Sequence, residues 1–290
     1  MCRDSCARIT VEIERQSMLR LETETGWWLV THVDHANLAG AFAKHWGNAR
    51  FAAPTPRSNV LLGIDTHDDG WALRDATPSI TREGRPSAFS SELVGKYSAF
   101  EEIDLADYLT VRERAVHQVA AKDEYAALLV SMHTYNLLTA RADRSTIAAE
   151  QLPLLDDFLS RQRDMQQILR TNIRSNKSFT SSDTSDEAIL DNFRLLQATD
   201  NLSLLSCVDY TASATLLHPL RTADGSHTEV QVTSLGSRRF QLRPYPFDAE
   251  SITLTFAARH VTGKSFASAQ DLQRQYAQAP VEQLSVTVHA

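Results

Sequence analysis

Short runs of alternating apolar and polar residues mark both ends of the chain. Near the start, Met18–Leu21 and Trp27–Val30 flank a turn-like Glu24-Thr25-Gly26 segment, which predicts a β-hairpin over residues 17–31. Beyond residue 210 the period of two returns, at 229–233, 239–242, 252–256 and 284–288. These runs predict a C-terminal β-sheet. The hairpin is a candidate to join it, because a hairpin alone is only marginally stable.

Between these β-rich ends the apolar residues recur at helical spacing. The predicted helices cover 34–46, 59–69, 104–121, 123–142, 153–173 and 184–207, with a short one at 268–277 and a long loop over 72–103. The fold class is therefore α+β, mainly α: a helical bundle with an N-terminal hairpin and a C-terminal sheet. The expected organisation is an extension at 1–16, a hairpin and helical part at 17–210, and a β-rich part at 211–290. An alternative is that the last part forms one unit with residues 17–31.

Composition narrows the class of partner. The net charge of -7 over 290 residues argues against a nucleic-acid binder, because phosphate contacts require clustered cations. No apolar run reaches the ~20 residues of a membrane helix, and the start of the chain lacks a signal-peptide stretch. Three cysteines do not make a disulfide framework. We expect a cytoplasmic protein with a small-molecule substrate and no membrane partner; a homodimer is compatible with the sequence.

Five ionisable side chains lie on or beside the apolar stripes of the predicted helices. They are His35, the adjacent pair His67 and Asp68, His133 and Asp200. A single histidine on such a stripe is usually a core residue with a hydrogen-bond partner, but a buried carboxylate needs a compensating charge. One shared cation would compensate all of them, and imidazole nitrogen with carboxylate oxygen suits iron, manganese, zinc or nickel. We therefore predict that these five residues bind one or two divalent metal ions.

Two further histidines have weaker patterns. His117 lies about 100° from the apolar stripe of its helix, so it is either a sixth metal ligand or a solvated residue. His32 precedes the predicted helix at 34–46, and we interpret it as a supporting or surface group.

Residues after the His67-Asp68 pair suggest further roles. Asp69 could orient a catalytic water or a ligand histidine, although a solvated helix-end carboxylate is an equal interpretation. Trp71 could form a wall of the substrate pocket. Arg82, Arg85 and Lys96 follow on the loop and could bind a phosphate or carboxylate, or simply be solvated.

The order of His35, His67-Asp68, His133 and Asp200 resembles the HD-domain superfamily of metal-dependent phosphohydrolases. The resemblance implies an HD-like helical bundle in which the early histidine, the His-Asp pair and the late aspartate bind a divalent metal, and the extra histidines permit a second. Many members have a lysine shortly after the pair, where this chain has Trp71.

Four segments are also similar to a bacterial family of unknown function with an HDxGW motif. They are Val33-Asp34-His35-Ala36, His67-Asp68-Asp69-Gly70-Trp71, Gly84-Arg85-Pro86 and Ser131-Met132-His133. This similarity spans roughly residues 18 to 290 and implies no substrate.

Three functions follow as hypotheses. The first is a hydrolase that acts on a small phosphorylated or otherwise anionic substrate through a metal-activated water. The second, implied by the same superfamily, is a dinuclear iron oxygenase on a small polar substrate, which needs His117 as its sixth ligand. The third is a non-catalytic metal- or ligand-binding module, whose metal site would have no open coordination position.

Overall fold

A large β-sheet joins the two ends of the chain in this computed structural model, which describes residues 18–94, 96 and 104–290. Its strand order is β1-β2-β8-β9-β7-β6-β3, and β4 and β5 form a separate ribbon. The strands are β1 (Leu19–Glu22), β2 (Gly26–Val30), β3 (Ala214–Thr215), β4 (Leu220–Arg221), β5 (His227–Thr228), β6 (Gln231–Gly236), β7 (Arg239–Arg243), β8 (Ser251–Thr262) and β9 (Val281–His289).

The N-terminal hairpin is part of this sheet, as its marginal stability in isolation requires. β2 pairs antiparallel with β8, and Gly26 lies opposite Thr262. A Cβ atom on Gly26 would lie 1.9 Å from the Val261 carbonyl oxygen, so only glycine permits this close approach. The predicted α+β class, with its hairpin and C-terminal sheet, is confirmed.

The helices fill the middle of the chain. Several begin at a side chain that caps the first turn: Asp104, Asp123, Ser185 and Ser268 each accept a hydrogen bond from a backbone amide three residues later. The helices are α1 (His32–His45), α2 (Arg57–Asp65), α3 (Ala72–Asp75), α4 (Leu105–Ala120), α5 (Glu124–Thr139), α6 (Leu152–Ser175), α7 (Asp186–Cys207) and α8 (Ala269–Gln278).

Two helix ends differ from the prediction, and both matter for the site. α1 begins at His32 rather than after Asp34, because Thr31 is the N-cap: its hydroxyl accepts from the Asp34 amide and donates to the Asp34 carboxylate. α2 ends at Asp65, four residues before the predicted end. His67 and Asp68 therefore lie in a turn, followed by a 3-10 turn over Asp69–Trp71.

Helix α1 lies between the sheet and the other helices, since it contacts β8, α2 and α7. The stacked rings of Phe42 and Phe247, with centroids 5.9 Å apart, belong to one core cluster that spans the predicted boundary at residue 210. The predicted 1–16 extension lies outside the described residues. Among the described helices, none combines the length and the apolar character needed to cross a membrane.

Candidate metal centre

Four separate elements bring the five predicted ligands together. His35 comes from α1, His67 and Asp68 from the turn after α2, His133 from α5 and Asp200 from α7. All five are buried. Their ligand atoms form two overlapping groups, His35 with His67 and Asp200, and His67 with Asp68 and His133, each with its atoms within 4.8 Å of one another. Among the described residues, the helical stripes therefore converge as predicted.

The His35 ring has one nitrogen held by the protein and one directed at carboxylates. Ser203 Oγ donates to the Asp200 carbonyl and lies 2.5 Å from His35 Nδ1, so its oxygen accepts the Nδ1 proton. Nε2 then faces Asp200 Oδ1 at 3.2 Å and Asp68 Oδ2 at 3.6 Å. A hydrogen bond on the distal nitrogen is the usual way a protein orients a metal-binding histidine.

His67 has the same arrangement. Its Nδ1 lies 2.7 Å from the Ile64 carbonyl oxygen, which can only accept, so Nδ1 carries the proton. Its Nε2 is fully buried and hydrogen-bonds no group in the described chain, although it lies 3.4 Å from Asp200 Oδ1 and 3.8 Å from Asp68 Oδ2. Such an orphaned nitrogen is costly to bury unless something else binds it.

The spacing of these donor atoms fits a shared ion. Each of the two Nε2 atoms lies 3.2 to 3.8 Å from Asp200 Oδ1 and Asp68 Oδ2, at or beyond the long end of hydrogen-bond distances. Ligands bound at about 2.1 Å to one ion lie about 3.0 Å apart at right angles and about 3.4 Å apart in a tetrahedron. His35, His67 and Asp200 could therefore hold a divalent metal ion, with Asp68 close to both histidines.

The electrostatics of the cluster also favour a cation. Burial alone lowers the pKa of His35, but the Asp200 and Asp68 carboxylates outweigh burial and raise that pKa to about 9. Burial raises the pKa of Asp200, but the neighbouring His35 and His67 rings outweigh burial and hold that pKa well below its usual value. The site thus attracts positive charge, either as protons or as a metal ion.

Arg112 is the site residue that the sequence analysis missed. It is buried, and its Nη1 lies 2.5 Å from Asp68 Oδ1, which leaves Asp68 Oδ2 to face the histidines. Burial raises the pKa of Asp68, but the guanidinium outweighs it and, with the histidines, holds that pKa well below its usual range. Its signal was visible, because an arginine on the apolar stripe of α4 needs the same explanation as a histidine on the stripe of α5.

His133 lies at the edge of the cluster, with its ring centroid 5.1 Å from that of His67. Burial lowers its pKa to about 3, so the ring is neutral and can act as a ligand. The Gln197 amide lies 3.4 Å from His133 Nδ1 and also contacts Asn136 and His218.

Trp71, predicted to form a wall of the substrate pocket, lines the cavity beside the cluster. His32 stacks on its ring with centroids 4.4 Å apart and planes 18° apart. The guanidinium carbons of Arg74 and Arg112 lie 5.2 and 5.1 Å from the ring centroid. Two arginines therefore lie against the Trp71 ring.

The cavity has a volume of about 160 Å³, comparable to one that holds a benzene-sized molecule. Metal-cluster residues, both arginines and His32 share it with apolar side chains. The lining among described residues is Met18, Leu19, His32, His35, Asp68, Trp71, Arg74, Phe89, Tyr108, Arg112, His133, Leu137, Asp200 and Leu204.

The other predicted site residues lie elsewhere. Asp69 points away from the cavity toward Lys122, whose Nζ is 3.6 Å from its carboxylate, because consecutive residues of a tight turn diverge. Arg82, Arg85 and Lys96 are exposed, and they are not among the described residues that line the cavity. Arg74 and Arg112 line the cavity where Arg82, Arg85 and Lys96 were expected.

His117 is exposed on the outer side of α4. The position one and a half turns earlier on the same helix carries Arg112, which faces the cluster instead. The open choice between ligand and solvated residue is thus answered for His117: it is solvated.

Comparisons with known proteins add a family but no activity. No curated protein and no solved structure matches the chain. One family model, described as a protein of unknown function (DUF3891), matches residues 18–263. That match includes all five candidate ligands, Arg112 and Trp71, and the chain belongs to the DUF3891 family.

Proposed function

We propose that this protein is a metal-dependent hydrolase that acts on a small anionic ester, with a phosphate ester as the leading substrate class. The observation that carries the proposal is the donor set: the Nε2 atoms of His35 and His67 each lie 3.2 to 3.8 Å from carboxylate oxygens of Asp68 and Asp200, and three of these four residues line a cavity. His35, His67, Asp68 and Asp200 would hold the ion, and His133 lies beside them. The ion itself is proposed to be iron, manganese, zinc or nickel.

When bound, a divalent ion lowers the pKa of a coordinated water toward ~7 and polarises the substrate. The chain's own groups have separate tasks. Arg112 fixes the orientation of Asp68 through its Oδ1, and Ser203 and the Ile64 carbonyl fix the two histidine rings. These contacts keep the donor atoms in place before any ligand binds.

The anionic part of the substrate is assigned to the arginine side of the cavity. Arg74 and Arg112 bracket the Trp71 ring and line the same cavity as the cluster. Planar guanidinium groups suit phosphate and carboxylate oxygens, and a buried setting strengthens their attraction. The small cavity favours a substrate with few carbon atoms beside its anionic group.

The alternative functions receive less support. A dinuclear iron oxygenase needs six ligands, and the sixth candidate, His117, is exposed on the far side of α4. A non-catalytic module would not require a metal site that opens into a cavity lined by arginines, because a structural site is closed.

The test begins with elemental analysis of protein expressed in unsupplemented medium, followed by a panel of phosphomonoesters and phosphodiesters. We expect about one transition-metal ion per chain and turnover of at least one ester. His67→Gln should lose the metal and reduce kcat/KM by at least about 10³-fold. His117→Gln, a change of the same kind on the solvent side, should retain both. Activity that survives His67→Gln and Asp68→Asn would refute the proposal.

A further inference from the structure

We propose that His32 is the proton donor to the leaving group of the hydrolysed ester, and that Asp75 is its positioning residue. This inference rests on the proposed function. It assigns a role to His32, which lines the same cavity but is not one of the candidate metal ligands.

The imidazole of His32 is paired with a buried carboxylate. Asp75 Oδ1 lies 2.9 Å from His32 Nδ1, and Asp75 Oδ2 accepts from the His32 backbone amide at 2.7 Å. The Asp75 side chain is only 3% exposed, so both of these hydrogen bonds are shielded from water. Both carboxylate oxygens are thus committed to one residue, which fixes the ring in place.

This pairing determines which nitrogen is available. Nδ1 donates to the carboxylate, so the opposite nitrogen, Nε2, is the one that can exchange a proton with a ligand. In the described part of the chain no group hydrogen-bonds His32 Nε2. The ring lines the cavity that Asp68 and Asp200 also line, and the side chain is 14% exposed.

A simpler interpretation is that Asp75 only caps α1. Its Oδ2 does bind the first amide of that helix, but Thr31 already caps the amide of Asp34. Capping needs neither the second carboxylate oxygen on the ring nor the stacking of that ring on Trp71 at 4.4 Å. Stacking on Trp71 holds the imidazole plane at the cavity wall, next to the space that a bound substrate would fill.

The proton balance is as follows. Water adds its hydroxyl to the phosphorus of the ester and releases a proton to solvent, and the bond from phosphorus to the leaving oxygen breaks. The leaving oxygen takes the proton from Nε2 of the His32 imidazolium and departs as an alcohol. The neutral imidazole then takes a proton from solvent. Asp75 remains a carboxylate and stabilises the imidazolium.

A series of leaving groups tests the assignment, because a proton donor matters most when the leaving oxygen is basic. The probes are 2,4-dinitrophenyl, 4-nitrophenyl and phenyl phosphate and the corresponding methyl diesters, assayed with metal-loaded protein. For His32→Gln we expect kcat/KM on the phenyl ester to fall by about 10²- to 10⁴-fold. On the dinitrophenyl ester it should fall by less than about tenfold.

A second measurement does not depend on activity. Long-range 1H–15N spectra of the metal-free protein should show the His32 ring protonated at Nδ1, with the signal assigned by its loss in His32→Gln. Asp75→Asn retains an acceptor for the α1 amide. It should weaken the Nδ1 proton signal and reproduce part of the leaving-group dependence, and it should leave the metal content unchanged.

The outcomes separate this inference from the proposed function. If the wild-type protein hydrolyses none of the esters, the proposed function fails. If it hydrolyses them and His32→Gln reduces kcat/KM equally across the series, His32 is not the proton donor and the hydrolase proposal stands. A ring found protonated only at Nε2 would also overturn the inference.

Discussion

Metal binding should displace at least one proton from the cluster, and the expected number follows from His35. Its pKa of about 9 in the metal-free protein means that the ring is almost fully protonated at about pH 7.5. A metal ion can bind Nε2 only after that proton leaves. Burial lowers this pKa, so it is the Asp200 and Asp68 carboxylates that stabilise the bound proton.

The number of protons released per bound ion can be measured by isothermal titration calorimetry with Zn²⁺ in two buffers of different ionisation enthalpy. We expect release of at least about one proton per ion at about pH 7.5. His67 adds to this number, since the carboxylates of Asp68 and Asp200 raise its pKa despite burial. The apparent affinity should weaken by about tenfold for each pH unit below the pKa of His35.

In the metal-free protein, the contribution of His35 to the stability of the fold decreases as the pH rises, whereas metal affinity increases. The folded pKa of His35 is raised above the usual histidine value of about 6.5, so its contribution to stability is complete below about pH 6.5 and is lost as the pH rises through about 9. His35→Gln should remove about one released proton, and His117→Gln should not. Zinc binding at about pH 7.5 without proton release would refute the reasoning.

Three other predictions concern single side chains. Arg112→Met leaves Asp68 buried without its cation and should destabilise the metal-free protein by about 3–5 kcal/mol; urea unfolding with and without metal measures this, and a loss that metal does not reduce would count against the shared-charge account. Gly70→Ala should cost at least about 1–3 kcal/mol, since its Cβ would lie 2.4 Å from a backbone carbonyl of α4; an unchanged urea midpoint would contradict the close packing. Asp69→Asn should leave metal affinity unchanged in the same calorimetric titration, since that carboxylate faces away from the cavity; a tenfold weaker affinity would show that Asp69 supports the ligands.

The clustering of the candidate ligands could be predicted from sequence because most of them obey one local rule. His35, His133 and Asp200 lie on helical stripes whose other members are core residues. For such residues the sequence period alone reports burial, and burial of a charge implies a partner. The same rule would have identified Arg112, which shares its stripe with Leu105 and Leu109.

The residues that could not be predicted depend on how elements approach each other. The pairing of His32 with Asp75 joins the first turn of α1 to the end of α3, and no periodicity relates residues 43 positions apart. Arg82, Arg85 and Lys96 follow the motif in sequence, but a long loop can direct its side chains anywhere. The direction of the Asp69 side chain depends on where α2 ends, and helix ends are poorly specified by local sequence pattern.

The pairing of β2 with β8 has a consequence for how the protein is made. Helix α1, which carries His35, follows β2 directly, and β2 gains its inner neighbour only from residues 251–262. At a synthesis rate of about 5–20 residues per second, β8 becomes available to pair with β2 only after more than 200 further residues have been added. Long-range pairing of this kind slows folding. The sheet against which α1 packs, and with it the position of His35, can therefore be completed only after β8 has been synthesised.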